Sequence, residues 1–93
     1  MLVEFLSTFM SAKKIEKIKI EEKLLSVMRD VLEDPSIDLD SSVENVDGWD
    51  SVGHLTLVTA IEETWGVIFS FSEIVEMSSF KKTIDCLMSK VVT

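Results

Sequence analysis

Three residues of the chain carry groups that could do chemistry together: Asp50, Ser51 and His54, within Gly48-Trp49-Asp50-Ser51-Val52-Gly53-His54-Leu55. A carboxylate, a hydroxyl and an imidazole suggest ester hydrolysis through a serine nucleophile. The spacing argues against it. In a triad the acid orients the far side of the imidazole while the near side contacts the serine. His54, the single histidine, would lie one turn along the same helix from Ser51, and Asp50, next to the serine, cannot easily reach behind it. The nucleophile elbow G-x-S-x-G is also missing, because Gly48-Trp49-Asp50-Ser51 puts one residue too many before the serine. Hydrolysis is therefore set aside, no catalytic residue is assigned, and the expectation is a protein that is not an enzyme. His54 is read as a solvent-facing helix residue.

What is left is a serine poorly equipped to act and well placed to be acted upon. A turn-rich acidic stretch precedes it and an apolar-periodic run follows, so Ser51 sits where a loop becomes a helix. Asp50 suits the N-cap, because its carboxylate can accept the N–H groups that the first turn leaves unpaired. A serine one residue further on faces solvent at the positive end of the helix dipole. That is a favourable place for an anion, including one attached through the serine itself.

Other chemistries find less support. One histidine and one cysteine, far apart in the chain, do not make a transition-metal site, and no metal ligand is assigned. An EF-hand starting at Asp38 fails, with Val43 at the sixth position and Trp49 at the twelfth. Gly48 and Gly53 are too few for a loop that cradles phosphate. Trp49 and Trp65 read as core or lid residues, and Cys86, between Ile84 and Leu87, as an inert buried or half-buried thiol.

The elements that must position Ser51 follow from periodicity. Residues 13–33 read as a helix with an apolar stripe of Ile15, Ile18, Leu24, Leu25, Met28, Val31 and Leu32. Its first turns carry four lysines, an unfavourable charge at a helix N-terminus, so the stable helix is expected to begin nearer Ile20. Asp34-Pro35 ends it. Residues 34–50 form a connection longer than usual, with Ile37, Leu39, Val43, Val46 and Trp49 as apolar anchors. Residues 51–65 read as a second helix with Leu55, Val58, Ile61 and Trp65 in its stripe, widened by Leu57 and Ala60, and with Gly66 as its stop. Ser70 or Ser72 can cap a short helix through Glu73 to Met77. Ser78 can cap a last one, 79–91, whose inward face is Phe80, Ile84, Leu87, Met88 and Val91. Residues 1–13 stand apart as an N-terminal extension. Leu2, Phe5, Leu6 and Phe9 have helical spacing, and a short amphipathic helix or disorder are both open there.

Composition bounds the class. Ninety-three residues make one small domain, and 46% hydrophobic residues with three glycines and one proline point to an all-α fold. The net charge is −8, and residues 31–80 hold eleven acidic side chains and no Lys or Arg. Such a segment repels nucleic acid and anionic membranes and attracts basic protein surfaces. No apolar run is long enough to span a bilayer, and the opening residues lack the basic region of a signal peptide. A single cysteine excludes an internal disulfide and fits a reducing compartment. A cytoplasmic monomer is the expectation.

Asp50-Ser51-Val52, followed by an apolar helix ending Ala60-Ile61-Glu62-Glu63-Thr64-Trp65-Gly66, resembles the acyl carrier protein family. So does the tail, Ile68-Phe69-Ser70-Phe71-Ser72-Glu73-Ile74 and Met77-Ser78-Ser79-Phe80-Lys81-Lys82-Thr83-Ile84. The likeness covers roughly Ile20 to Val91, within a carrier domain bounded as 14–93. It implies a four-helix bundle with a long first loop and a short third helix. It also implies a 4′-phosphopantetheine cofactor, joined covalently to Ser51 by a phosphopantetheinyl transferase, whose thiol holds an acyl or aminoacyl group as a thioester. Asp50 would then cap the helix and help the transferase dock. Val52, Leu55, Thr56, Thr59, Glu62 and Glu63 would form the face read by partners: the transferase, an acyl-activating ligase, and acyl or condensing transferases. Thr56 and Thr59 stand where Glu and Met are common, and Gly53-His54 replaces a more acidic pair, which points to a dedicated carrier in a specialised pathway. The competing reading is an unmodified helical interaction module, with Ser51 merely a first-turn residue.

Overall fold

The computed structural model describes residues 12–91, with side chains from Ile15 onward; the expected extension around Leu2, Phe5, Leu6 and Phe9 lies outside the described residues. Among the described residues four helices follow one another: α1 Ala12–Val31, α2 Ser51–Trp65, α3 Phe71–Glu76 and α4 Phe80–Val91. Among the described residues there is no strand, and one isolated antiparallel bridge joins Ser42 to Ser79. The fold is all-α, with a long first connection and a short third helix. No described helix is long and apolar enough to cross a membrane.

The first helix follows its four-residue period. Ile20, Leu24, Met28 and Leu32 are buried and stack along one face. Ile18, expected in that stripe, is 42% exposed instead. It lies six residues before Leu24, well off the inward face, and Ile20 takes the first core position. Helical backbone reaches back to Ala12, earlier than the start expected from the clustered lysines. At the other end Glu33 adopts a left-handed conformation, φ 52. Its N–H donates to the Asp30 carbonyl at 3.3 Å, and that of Asp34 donates to the Arg29 carbonyl at 3.0 Å. This is a Schellman ending with glutamate where glycine is usual. The helix stops there, before the Asp34-Pro35 pair can act.

The long connection is a series of turns rather than a slack loop. Ile37, Val46 and Trp49 are buried as expected, but Leu39 is 47% and Val43 39% exposed. The cause at Leu39 is a polar turn around it. The Asp40 N–H donates to Asp38 Oδ1, and the Asp38 N–H donates to Ser41 Oγ. Val43 sits where the connection is fastened to the start of α4. Its N–H donates to the Ser78 carbonyl at 3.0 Å, and the Phe80 N–H donates to the Ser41 carbonyl at 2.9 Å. Arg29 Nε donates to the Ile37 carbonyl at 2.8 Å and ties the connection back to α1.

The remaining helices carry clear end signals. In α2, Leu57, Val58 and Ile61 are buried, and Gly66 closes the helix at φ 66, a conformation glycine adopts at no steric cost. Ser70 caps α3 through a capping box with Glu73. The cap of α4 is Ser79 rather than the expected Ser78, since Ser79 Oγ accepts the Lys82 N–H at 3.1 Å. The Ser78 carbonyl accepts the Val43 N–H. Phe80, Thr83, Ile84 and Leu87 are buried on α4, with Met88 and Val91 packed at the edge of the core. Thr83 spends its hydroxyl on the Ser79 carbonyl, 2.7 Å away, which lets a polar residue sit there. The core forms where α1 packs on α2 and α4, and α3 leans on α4.

Candidate functional site

The site is built at the start of α2. Asp50 has extended backbone, φ −95 and ψ −168, and its carboxylate accepts the Gly53 N–H at 2.8 Å. The expected cap is therefore present, a contact whose loss costs ~1 kcal/mol in typical helices. Ser51 is the first residue of α2 and is exposed. Its hydroxyl lies at the end of the helix where unpaired N–H groups and the dipole favour negative charge.

Two glycines fix how closely the chain closes around that serine. A Cβ on Gly53 would collide with the Gly48 carbonyl oxygen, and one on Gly48 would lie 3.1 Å from the Leu32 carbonyl. The end of α1, the last turn of the connection and the first turn of α2 thus meet backbone to backbone. The pair sets the position of Ser51.

His54 departs from expectation. It is half-buried rather than solvent-facing. Its Nδ1 accepts from Trp49 Nε1 at 2.9 Å, and its Nε2 lies 2.7 Å from the carbonyl oxygen of Ile74 on α3. The two rings stack at 6.2 Å between centroids with 29° between planes. The imidazole thus faces away from a base role toward Ser51. Ser51, His54 and Trp49, with Val43, Ile74 and Val75, line a groove of about 390 Å³. Its walls are the connection and α2 on one side and α3 on the other.

The outer face of α2 gathers most of the expected recognition residues. Val52 is 75% and Leu55 60% exposed. Thr56, Thr59 and Glu63 are exposed as well. The two threonine hydroxyls bond back to the carbonyls of Val52 and Leu55, so they are partly spent on the helix itself. Glu62 is half-buried, and its carboxylate accepts the Phe69 N–H at 3.0 Å. It braces the α2–α3 link as well as bordering that face. Ile68, Phe71 and Val75 are exposed apolar side chains that periodicity did not single out.

A second depression, of about 500 Å³, lies across α3 from Ser51 and includes Glu73, Glu76, Lys82, Asp85 and Cys86. Glu73 pairs with Lys90 at 2.9 Å, and Lys90 lies 5.8 Å from the centre of the Phe69 ring. The Cys86 thiol is pushed up from its ordinary pKa, first by burial and then by the Glu73 charge. It stays protonated at neutral pH, so the depression offers no activated nucleophile. Among the described residues, no three His, Cys, Asp or Glu side chains come together to hold a metal.

The cap and the exposed serine were legible in Asp50-Ser51 and the apolar period after it. The bridge through His54 was not, because one of its partners is a backbone carbonyl twenty residues away. The usable signal was a tryptophan donor and an imidazole acceptor five residues apart, across a helix start. Comparisons with protein-family models, with curated proteins and with solved structures find no match to this chain.

Proposed function

We propose that the protein is an acyl carrier protein, with its helices forming a bundle of acyl-carrier type and Ser51 as the attachment point of a 4′-phosphopantetheine arm. The observation that carries the reading is an exposed serine at the first position of α2, directly after its capping aspartate and at the rim of a groove. The residues present fit the group. A phosphodiester on Ser51 would meet the positive end of α2, and the groove gives about 390 Å³ of space beside it. The arm supplies a terminal thiol that holds an acyl or aminoacyl cargo as a thioester.

The chain's own residues would do the rest. Asp50 keeps the first turn of α2 formed, so that the hydroxyl is presented from rigid backbone. Val52, Leu55, Thr56, Thr59 and Glu63 give partners an apolar strip with an acidic border, and Glu62 completes that border while bracing the link. The partners would be a phosphopantetheinyl transferase, an acyl-activating ligase, and acyl or condensing transferases with basic docking surfaces. Attachment forms a bond from Ser51 Oγ to phosphorus and breaks the pyrophosphate bond of coenzyme A. Adenosine bisphosphate leaves, and the serine proton goes to the transferase. The protein itself is a substrate and a carrier, not a catalyst. Thr56, Thr59 and the Gly53-His54 pair favour a dedicated route over general fatty acid synthesis, and a cytoplasmic monomer fits such a shuttle.

The test is to incubate the protein with coenzyme A and a broad-specificity phosphopantetheinyl transferase and to weigh it intact. One phosphopantetheinyl group per chain is expected, and none on Ser51→Ala. No gain on the native chain, or an equal gain on the variant, overturns the reading in favour of an unmodified interaction module.

A further inference from the structure

The group that spans the groove beside Ser51 has no role in attachment chemistry, yet it is satisfied on both sides. Trp49 Nε1 can only donate a hydrogen bond and the Ile74 carbonyl can only accept one. With these partners at 2.9 and 2.7 Å, Nδ1 accepts from Trp49 and Nε2 donates to the Ile74 carbonyl. No other tautomer satisfies both bonds. We infer that His54 is the positioning residue of the Ser51 site: its imidazole clasps Trp49 and α3 across the groove and holds the two walls in the arrangement that a modifying enzyme recognises. The inference rests on the reading of Ser51 as the attachment point.

Three observations carry it. First, α3 is six residues long and has no fully buried side chain, so it is far too short to persist on its own. The Glu73–Lys90 pair fastens it to α4. Among the described residues, His54 to Ile74 is the hydrogen bond that fastens it to α2. Second, Trp49 directly precedes Asp50 and is 2% exposed. Without His54 its buried N–H would lose its partner, and the backbone entering the cap would lose its anchor. Third, the charged group beside the bridge on its own side is the Asp50 carboxylate, which is turned to the Gly53 N–H. From α3, Glu73 is turned to Ser70 and Lys90. Neither competes for the imidazole. An enzyme that encloses the Ser51 hydroxyl meets both groove walls, so their separation enters its affinity for the carrier.

The experiment compares native protein, His54→Ala and His54→Gln, each as the full chain, as substrates for phosphopantetheinyl transfer. A glutamine amide offers one acceptor and two donors and can restore both bonds. His54→Ala is expected to raise KM for the protein by at least roughly five-fold, the size of one of the two lost hydrogen bonds, with kcat near native, and His54→Gln to recover most of the loss. Nitrogen NMR of the native chain should show the Nε2-protonated tautomer. The Trp49 indole proton, assigned against Trp65→Phe, should shift in the alanine variant and return in the glutamine one. A folded His54→Gln as poor as His54→Ala, an unchanged KM in His54→Ala, or an Nδ1-protonated ring overturns the inference. If the native chain accepts no arm at all, the reading of Ser51 fails instead, and the two failures are thereby distinguished.

Discussion

Ser51 takes its character from its neighbours. Asp50 spends its carboxylate on the cap, His54 spends both ring nitrogens on Trp49 and Ile74, and Gly53 admits the Gly48 carbonyl to the first turn. None of them is left to activate the hydroxyl. Gly53 gives a test in which two effects oppose each other. Helix propensity alone favours Gly53→Ala by ~1 kcal/mol. The added methyl, however, meets a backbone oxygen that cannot rotate away, and such overpacking typically costs about 1–3 kcal/mol. The clash is expected to win, lowering Tm by several degrees, at about 4–8 °C per kcal/mol for a domain of this size. Ser51→Ala, at an exposed position, should leave Tm near native. A thermal melt of both variants decides it, and a Gly53→Ala protein more stable than native would mean that the first turn is not packed as described. The sequence announced Asp50 and Ser51 because a cap and its helix are local. It did not announce Gly53 or His54, whose partners are set by the crossing of α1, the connection and α3.

Among the elements, α2 was the most legible, because Asp50 and Gly66 mark its two ends; for α3 the sequence left Ser70 and Ser72 both open as caps, and the structure selects Ser70, through a capping box with Glu73. The end of α1 was less so, since the chain enters the left-handed region at Glu33 with no glycine to mark it. The cap of α4 falls one residue later than expected because the helix begins at Phe80, so that the Ser79 hydroxyl is the one that accepts an N–H of its first turn, that of Lys82. The same box makes α3 sensitive to acid. The Glu73 carboxyl is held below its ordinary value of 4.5, first by the Ser70 N–H and then by Lys90. A depressed carboxyl binds its proton less tightly in the folded chain than in the unfolded one. Its contribution is therefore present above about pH 4.5 and is lost as pH falls through the lower, folded value. On acidification α3 should loosen before the α1–α2–α4 core. Amide hydrogen exchange at neutral and acid pH, scaled for intrinsic rates, reads this directly. Protection in α3 should fall with pH in the native chain and be weaker but flatter in Glu73→Gln. Equal pH responses in the two proteins would remove Glu73 as the cause.

At the scale of the molecule, charge and fold divide along the same line. Every Lys and Arg lies outside residues 31–80, so the connection, α2 and α3 make an acidic half that includes Ser51, while α1 and α4 carry the positive charge. The net charge of −8 also acts against compactness, since the carboxylates of that half repel one another. Salt weakens both consequences, because the screening length is about 10 Å at 0.1 M ionic strength, but it does so with opposite sign. Less self-repulsion stabilises the fold. Less attraction slows the encounter with a basic partner, where steering governs the on-rate. Raising NaCl should therefore raise Tm while lowering kcat/KM for transfer of the arm to Ser51. Glu63→Gln, which removes an exposed charge from the proposed docking face, should shift both quantities toward their high-salt values and make transfer less salt-sensitive. Stability and transfer falling together would point to a salt effect on the transferase or to unfolding. A rate indifferent to salt would mean that partners do not reach Ser51 through the acidic half.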